Sequence, residues 1–364
     1  MWHPSEFRDL ISGRRGGPGA ATLRLALSLA EVPYTLAVRW RNHRYETGRA
    51  RVHRLPVPVI SVGNITLGGT GKTPLVEWIG RWLSQRGVRV GIVSRGYGAR
   101  GGARNDEALE LQERLPGVPH VQNPDRVEGA RAAIRDFGCE AIVLDDAFQH
   151  RRIARDLDLC VLDALEPFGY GHVFPRGALR EPPEGLRRAD AVILSRADDV
   201  PPDQHETIRQ TVAGLAPRAA WAEVVHAPQA LCNTRGQRAA AASLADSPVA
   251  AFCGVGNPAG FRKTLEKLGY QVIAFREFAD HYRYTKADVA SLIAWTHRLD
   301  IAAVVCTSKD LVKLGIDRLG SRPLWSVTVA VNFLAGREML ERKLIALASR
   351  RLSPGRAESD AAGG

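Results

Sequence analysis

The chain has 364 residues and a formal net charge of +11. That length suits two domains rather than one, and a hydrophobic fraction of 45% excludes a disordered polyelectrolyte. Five scattered cysteines (Cys139, Cys160, Cys232, Cys253, Cys306) lack CxxC or zinc-ligand spacing, so a disulfide framework is not expected and a reducing cytosol fits.

The charge is uneven. Residues 1–55 hold ten arginines against Glu6, Asp9, Glu31 and Glu46, a net of +6. Within this segment Leu23, Leu25, Leu27, Leu29, Val32, Tyr34, Leu36, Val38 and Trp40 lie among arginines. Arg24, Glu31 and Pro33 interrupt the apolar run, so it falls short of the roughly 18–20 residues a span requires. The composition suits a basic amphipathic helix in an anionic membrane interface, or an ordinary helix packed on the first domain with solvated arginines.

From residue 56 a β/α alternation begins. Strands are expected at 56–62, 88–93, 141–144, 157–162 and 191–194, with a helix at 74–85 ended by Gly87. Residues 216–247 are rich in Ala, Arg and Pro with little periodicity and suggest a hinge. A second series follows: strands near 249–254, 271–275, 302–306 and 324–331, and helices at 258–268 and 286–297. Strands separated by helices imply an α/β fold, a doubly wound and mostly parallel sheet, with a second, smaller α/β domain. The expected organisation is an N-terminal segment 1–55, a first domain 56–220, a hinge 221–248, a C-terminal domain 249–350 and a disordered tail 351–364.

The sharpest motif runs from Gly63 to Thr73, between an expected strand and an expected helix. Gly71, Lys72 and Thr73 fit the GxxxxGK[ST] phosphate loop, while Thr66 stands at its leading glycine. Gly68, Gly69 and Gly71 let the backbone turn its N–H groups around phosphate. Lys72 supplies a mobile positive charge, and Thr73 offers a hydroxyl to Mg²⁺. Pro74 sits in the first helical turn, where a missing N–H costs nothing. Asp145 and Asp146 end an apolar strand, where paired carboxylates suit a cation. Leu67 occupies the position of the lysine usual in partitioning ATPases. Neither Ser195–Asp198 nor Thr307–Asp310 has the asparagine of a guanine reader. Aromatics do not interleave with the basic residues, which argues against nucleic acid as a partner.

Further stretches follow in order: Ser94–Gly98, Asn105–Glu107, Asn123–Arg126, Asp145–Arg151, Pro175–Pro182, Gly254–Pro258, Asp280–His281 and Thr307–Asp310. Together with the phosphate loop they make the chain resemble the tetraacyldisaccharide 4'-kinase (lipid A 4'-kinase) family from about Pro56 to about Val331. Three positions depart from that family. Asn105 and Ala147 stand where it usually has glycine, and Ser308 where it commonly has glutamate.

The resemblance implies transfer of the γ-phosphoryl of ATP to the 4'-hydroxyl of a lipid A precursor, a tetraacylated glucosamine disaccharide 1-phosphate. It also implies work at the cytoplasmic face of the bacterial inner membrane. By it, Thr66, Leu67, Gly68, Gly69, Thr70, Gly71, Lys72 and Thr73 cradle ATP. Thr73, Glu107, Asp145 and Asp146 form the candidate Mg²⁺ shell. Asp106 is the candidate base, oriented by His281, with domain closure as the gate. Arg126 and Arg180 are candidates for substrate phosphate, against a reading as surface ion pairs. Gln149 and His150 are candidates for orienting ligands. A P-loop kinase of another acceptor and a non-enzymatic nucleotide switch are the competing readings.

Overall fold

A computed structural model describes residues 4–96, 106–279 and 282–350. The chain divides into two compact units. One comprises Met1–Arg95, Gly117–Val225 and Phe333–Gly364, the other Gly96–Pro116 and His226–Asn332.

The first unit begins with α1 (Pro4–Ile11) and the long α2 (Pro18–Glu46). The β/α series then runs β1 (Val59–Gly63), α3 (Lys72–Ser84) and β2 (Val90–Ser94). After α4 (Asp106–Arg114), which belongs to the second unit, come β3 (His120–Gln122), α5 (Arg126–Phe137), β4 (Ala141–Asp145), β5 (Leu157–Asp163), β6 (Ala191–Ser195) and α6 (Pro202–Leu215). With β7 (Ala220–Cys232) the strand order is β7-β6-β5-β1-β4-β2-β3, and every pairing is parallel. β1, β2, β4 and β6 are buried along their whole length. That follows from covering a parallel sheet on both faces, and it is why these strands read as unbroken apolar runs. Two clusters fill the layers. Val59, Val93, Val127, Ile142 and Leu144 form one, and Ile65, Phe148, Leu162, Leu194 and Ile208 belong to the other. β1 lies between β4 and β5, while the chain leaves it for β2 on the far side of β4. The carboxyl end of β1 is therefore a topological switch point, where ligands bind in sheets of this kind.

The second unit contains α4, β8 (Arg238–Ala240), β9 (Pro248–Cys253), α7 (Pro258–Lys267), β10 (Gln271–Glu277), α8 (Lys286–His297), β11 (Ala303–Thr307), α9 (Ser308–Leu314) and β12 (Arg318–Leu319). β13 (Arg322–Ala335) and β7 each contribute residues to both units, and α10 (Arg337–Arg350) returns to the first. The order β10-β9-β11-β13 is parallel, and β8 and β12 are antiparallel hairpin partners of β7 and β13. Residues 216–247 thus contain β7 and β8 rather than an irregular stretch. Alanines, Pro228 and half-buried positions hide the strand signal there. The tail 351–364 lies outside the described residues.

The helix expected near the N-terminus forms, with an unusual distribution of side chains. Within α2 only Ala20 and Val38 are buried. Leu25, Leu29, Val32, Leu36 and Trp40 are 55–69% exposed. Spaced four, three, four and four apart, they form one apolar stripe at helical period. The opposite face carries Glu31, Tyr34 and Asn42, which hydrogen-bond to residues 172–181. No helix among the described residues is long and apolar enough to cross a membrane.

Candidate active site

The phosphate loop connects β1 to α3 as its sequence requires. Gly71 occupies the N-cap of α3 at φ 80°, ψ 25°, a left-handed conformation that glycine adopts without strain. The first helical N–H groups have no intrahelical partners, so they and the helix dipole favour an anion at this end. A Cβ on Gly63 would fall 2.4 Å from the Phe148 backbone nitrogen, so only glycine lets the loop after β4 approach so closely. The loop is braced from outside: Leu67 N donates to Ala178 O at 2.6 Å, Arg180 N to Ile65 O at 2.7 Å, and Ser195 Oγ to Thr70 O at 2.7 Å. Arg196 forks between Asp163 and the carbonyl of Gly69.

Asp146 faces this loop. Its backbone is left-handed at φ 50°, a conformation uncommon for a residue with a Cβ, though aspartate adopts it more readily than most. Three cations hold it. Lys72 Nζ is 3.3 Å from Oδ1, Arg180 Nη1 reaches both carboxylate oxygens at 2.8 and 2.9 Å, and Arg126 Nη2 donates to the backbone carbonyl at 2.8 Å. Burial alone would raise the carboxyl pKa, but Lys72 and Arg180 hold it down to about 2. Asp145 is buried at the strand end. Arg126, itself buried, positions the Asp146 backbone, and burial lowers its pKa while the two aspartates oppose that.

Gln149 Nε2 donates to Asn64 O at 2.7 Å and to Glu181 Oε1 at 2.8 Å. The His150 ring is pushed down to about 4, first by burial, then by Arg126, Arg155 and Arg152. Arg155 supports the same loop from below, donating to the carbonyls of Ala147 and His150. The fold therefore brings together Lys72, Asp145, Asp146, Arg126, Arg180, Gln149 and His150, with Thr73 in the first turn of α3.

Asp106 and Glu107 open α4, their side chains outside the described part, and Asp280 and His281 lie outside the described residues. Helix α4 is anchored at its other end. Arg114 pairs with Glu110 at 2.7 Å and donates to Val329 O and Ser308 Oγ, both at 3.0 Å. Ser308, where the resemblance expects glutamate, thus accepts from an arginine that already has an acidic partner. In the same unit Asp310 is fully buried and accepts from Gly254 N, Tyr284 OH and Thr307 Oγ1.

Sequence reasoning passed over Glu181, Arg188 and Arg155, and weighed Ser195 and Arg196 only as part of a guanine reader. Glu181 stands beside Arg180 in a noted stretch, but only tertiary structure reveals it as fully buried and bound by Arg188 at 2.6 and 2.8 Å.

A switch-point phosphate loop facing an ionised aspartate paired with two cations places the chain among P-loop nucleotide-binding proteins. The family model for tetraacyldisaccharide-1-P 4'-kinase (LpxK) matches residues 23–348, so the chain belongs to that family and is a kinase. The tetraacyldisaccharide 4'-kinase of Anaeromyxobacter dehalogenans strain 2CP-C is 41% identical over 91% of this chain and 92% of its own length. The tetraacyldisaccharide 4'-kinase of Chlorobaculum parvum is 37% identical over 86% and 92% respectively. The crystal structure of LpxK from Aquifex aeolicus in complex with ATP superposes with a TM-score of 0.72, at 28% identity, over 89% of this chain and 99% of that one.

Proposed function

We propose that Lys72, Arg180 and Asp146 form the centre at which this kinase transfers the ATP γ-phosphoryl to the 4'-hydroxyl of a tetraacylated disaccharide 1-phosphate. The observation that carries this reading is the pair of cations on Asp146 beside the N-terminus of α3. Phosphoryl transfer requires charge stabilisation and positioning more than covalent chemistry. Residues 66–73 wrap the phosphates with backbone N–H groups. Lys72 and Arg180, both paired with Asp146, meet the developing negative charge.

Mg²⁺ takes hard oxygen ligands, commonly one or two carboxylates with substrate phosphates completing its shell. The described residues contain no cluster of three or more His, Cys, Asp or Glu side chains suited to a metal. Thr73, Asp145, Asp146 and Glu107 supply oxygens of that kind and are the proposed shell; Asp146 would have to share with Mg²⁺ the carboxylate that Lys72 and Arg180 contact. When bound, Mg²⁺ would neutralise phosphate charge. Asp106 is the proposed acceptor of the hydroxyl proton and His281 its partner.

The exposed stripe of α2, with arginines on its flanks, suits an anionic membrane surface. This reading puts the protein at the cytoplasmic face of the inner membrane, peripheral or monotopic, where an acylated substrate would meet it.

Substituting Asp106→Ala tests the assignment of roles. Turnover with ATP, Mg²⁺ and the tetraacylated disaccharide 1-phosphate should fall by about 10²–10⁴, the usual worth of a general base. Nucleotide affinity, followed by calorimetry, should stay within about twofold of wild type. Near-wild-type turnover would remove Asp106 as the base.

A further inference from the structure

We propose that Glu181 is a positioning residue for the nucleotide site, and that through it helix α2 sets the shape of the phosphate loop. Residues 172–181 run between the two. On one side α2 grips this segment: Glu31 accepts from Val173 N at 2.6 Å and contacts His172 Nδ1 at 3.1 Å, and Tyr34 OH donates to Arg180 O at 3.3 Å. On the other side the segment grips the phosphate loop through Ala178, Leu179 and Arg180, the last also holding Asp146.

Glu181 joins the two sides with one carboxylate. Its Oε2 accepts from Asn42 of α2 at 3.0 Å, and its Oε1 accepts from Gln149, whose amide also caps the Asn64 carbonyl where the phosphate loop begins. Arg188 neutralises the charge and lies 3.7 Å over the Phe148 ring, the residue that packs on Gly63. For stability alone a buried ion pair gains little over an apolar pair of the same shape. What this carboxylate adds is direction. Its two oxygens hold two amides in fixed orientation, so a shift of α2 at Asn42 is felt at Gln149 and Asn64. The inference concerns the nucleotide site and holds whether or not α2 meets lipid.

The test is a double-mutant cycle on the full-length protein, reading affinity for a non-hydrolysable ATP analogue by calorimetry. Asn42→Ala and Gln149→Ala should each weaken binding by about fivefold, within the range of coupling through packed networks. The double variant should be no more than about twofold worse than the weaker single, because both act through one carboxylate. Arg187→Ala, which severs the exposed tie of Arg187 to Glu46 of α2, should leave affinity within about twofold. Glu181→Gln should reproduce the loss, and Asn42→Ala keeps the test alive if that variant does not fold. Losses that multiply in the double variant would overturn the proposal. So would an Asn42→Ala protein that melts earlier yet binds nucleotide as wild type does, since that result assigns the contact to stability alone.

Discussion

Asp146 shows how one residue can be costly and useful at once. Its left-handed backbone and partial burial both work against it, and Lys72, Arg180 and Arg126 hold it in place. With its pKa held down to about 2 by Lys72 and Arg180, it is ionised at any physiological pH and pairs with both cations. His150 pays the opposite electrostatic cost. It is held neutral, with a pKa near 4, by burial and by Arg126, Arg155 and Arg152. The unfolded chain, where histidine titrates near its ordinary value of 6.5, therefore binds more protons between those two values. Stability from this residue is present above that window and falls as pH drops through it. Chemical denaturation of wild type and His150→Gln at several pH values should show a shallower loss from pH 6.5 down to 4 in the variant. Parallel curves would mean that His150 titrates normally in the fold.

At the level of elements, α2 places its apolar residues on the side away from the protein. A helix that packs on its own domain buries such a stripe; this one seats Glu31, Tyr34 and Asn42 inward and leaves Leu25, Leu29, Leu36 and Trp40 outward. Each leucine buried in lipid contributes roughly 1.5–3 kcal/mol. Leu29→Glu with Leu36→Glu should therefore weaken flotation with phosphatidylglycerol vesicles by more than about tenfold. Because both positions are exposed, the melting temperature should hardly move. Unchanged flotation would remove the stripe as a membrane contact. The same helix marks a limit of sequence reading. Its apolar and basic composition was legible, but which face packs was not, since that depends on polar partners about 140 residues away. β1, β2, β4, β5 and β6 were legible as buried apolar runs, and α3 by its spacing and its loop. β7 was not, because its residues are half-buried and broken by Pro228. Nor was α5, although the Asp125 cap on Val127 N gives it a clear start.

On the scale of the whole molecule, the phosphate loop and Asp145–Asp146 were readable from local motifs because their chemistry depends on short spacing. Glu181, Arg188 and Arg155 were not, because a buried ion pair leaves no periodic trace in sequence. Lys72 and Asp146 lie 74 positions apart, yet they meet because β1 and β4 are adjacent parallel strands with Val62 opposite Asp145. The net charge of +11 is unevenly spread: the first 55 residues carry a net of +6, while Lys72 and Arg180 sit on the Asp146 carboxylate and Arg126 on its backbone carbonyl. If this arrangement phosphorylates the 4'-hydroxyl of an acylated disaccharide, the product carries a new phosphate at that oxygen. The most direct measurement is mass-spectrometric and NMR analysis of product after incubation with ATP, Mg²⁺ and tetraacylated disaccharide 1-phosphate, beside Lys72→Ala. A 1,4'-bisphosphate formed by wild type and lost by more than about 10³-fold in the variant is the predicted result. ATP consumption with no phosphate on the 4'-oxygen would contradict it.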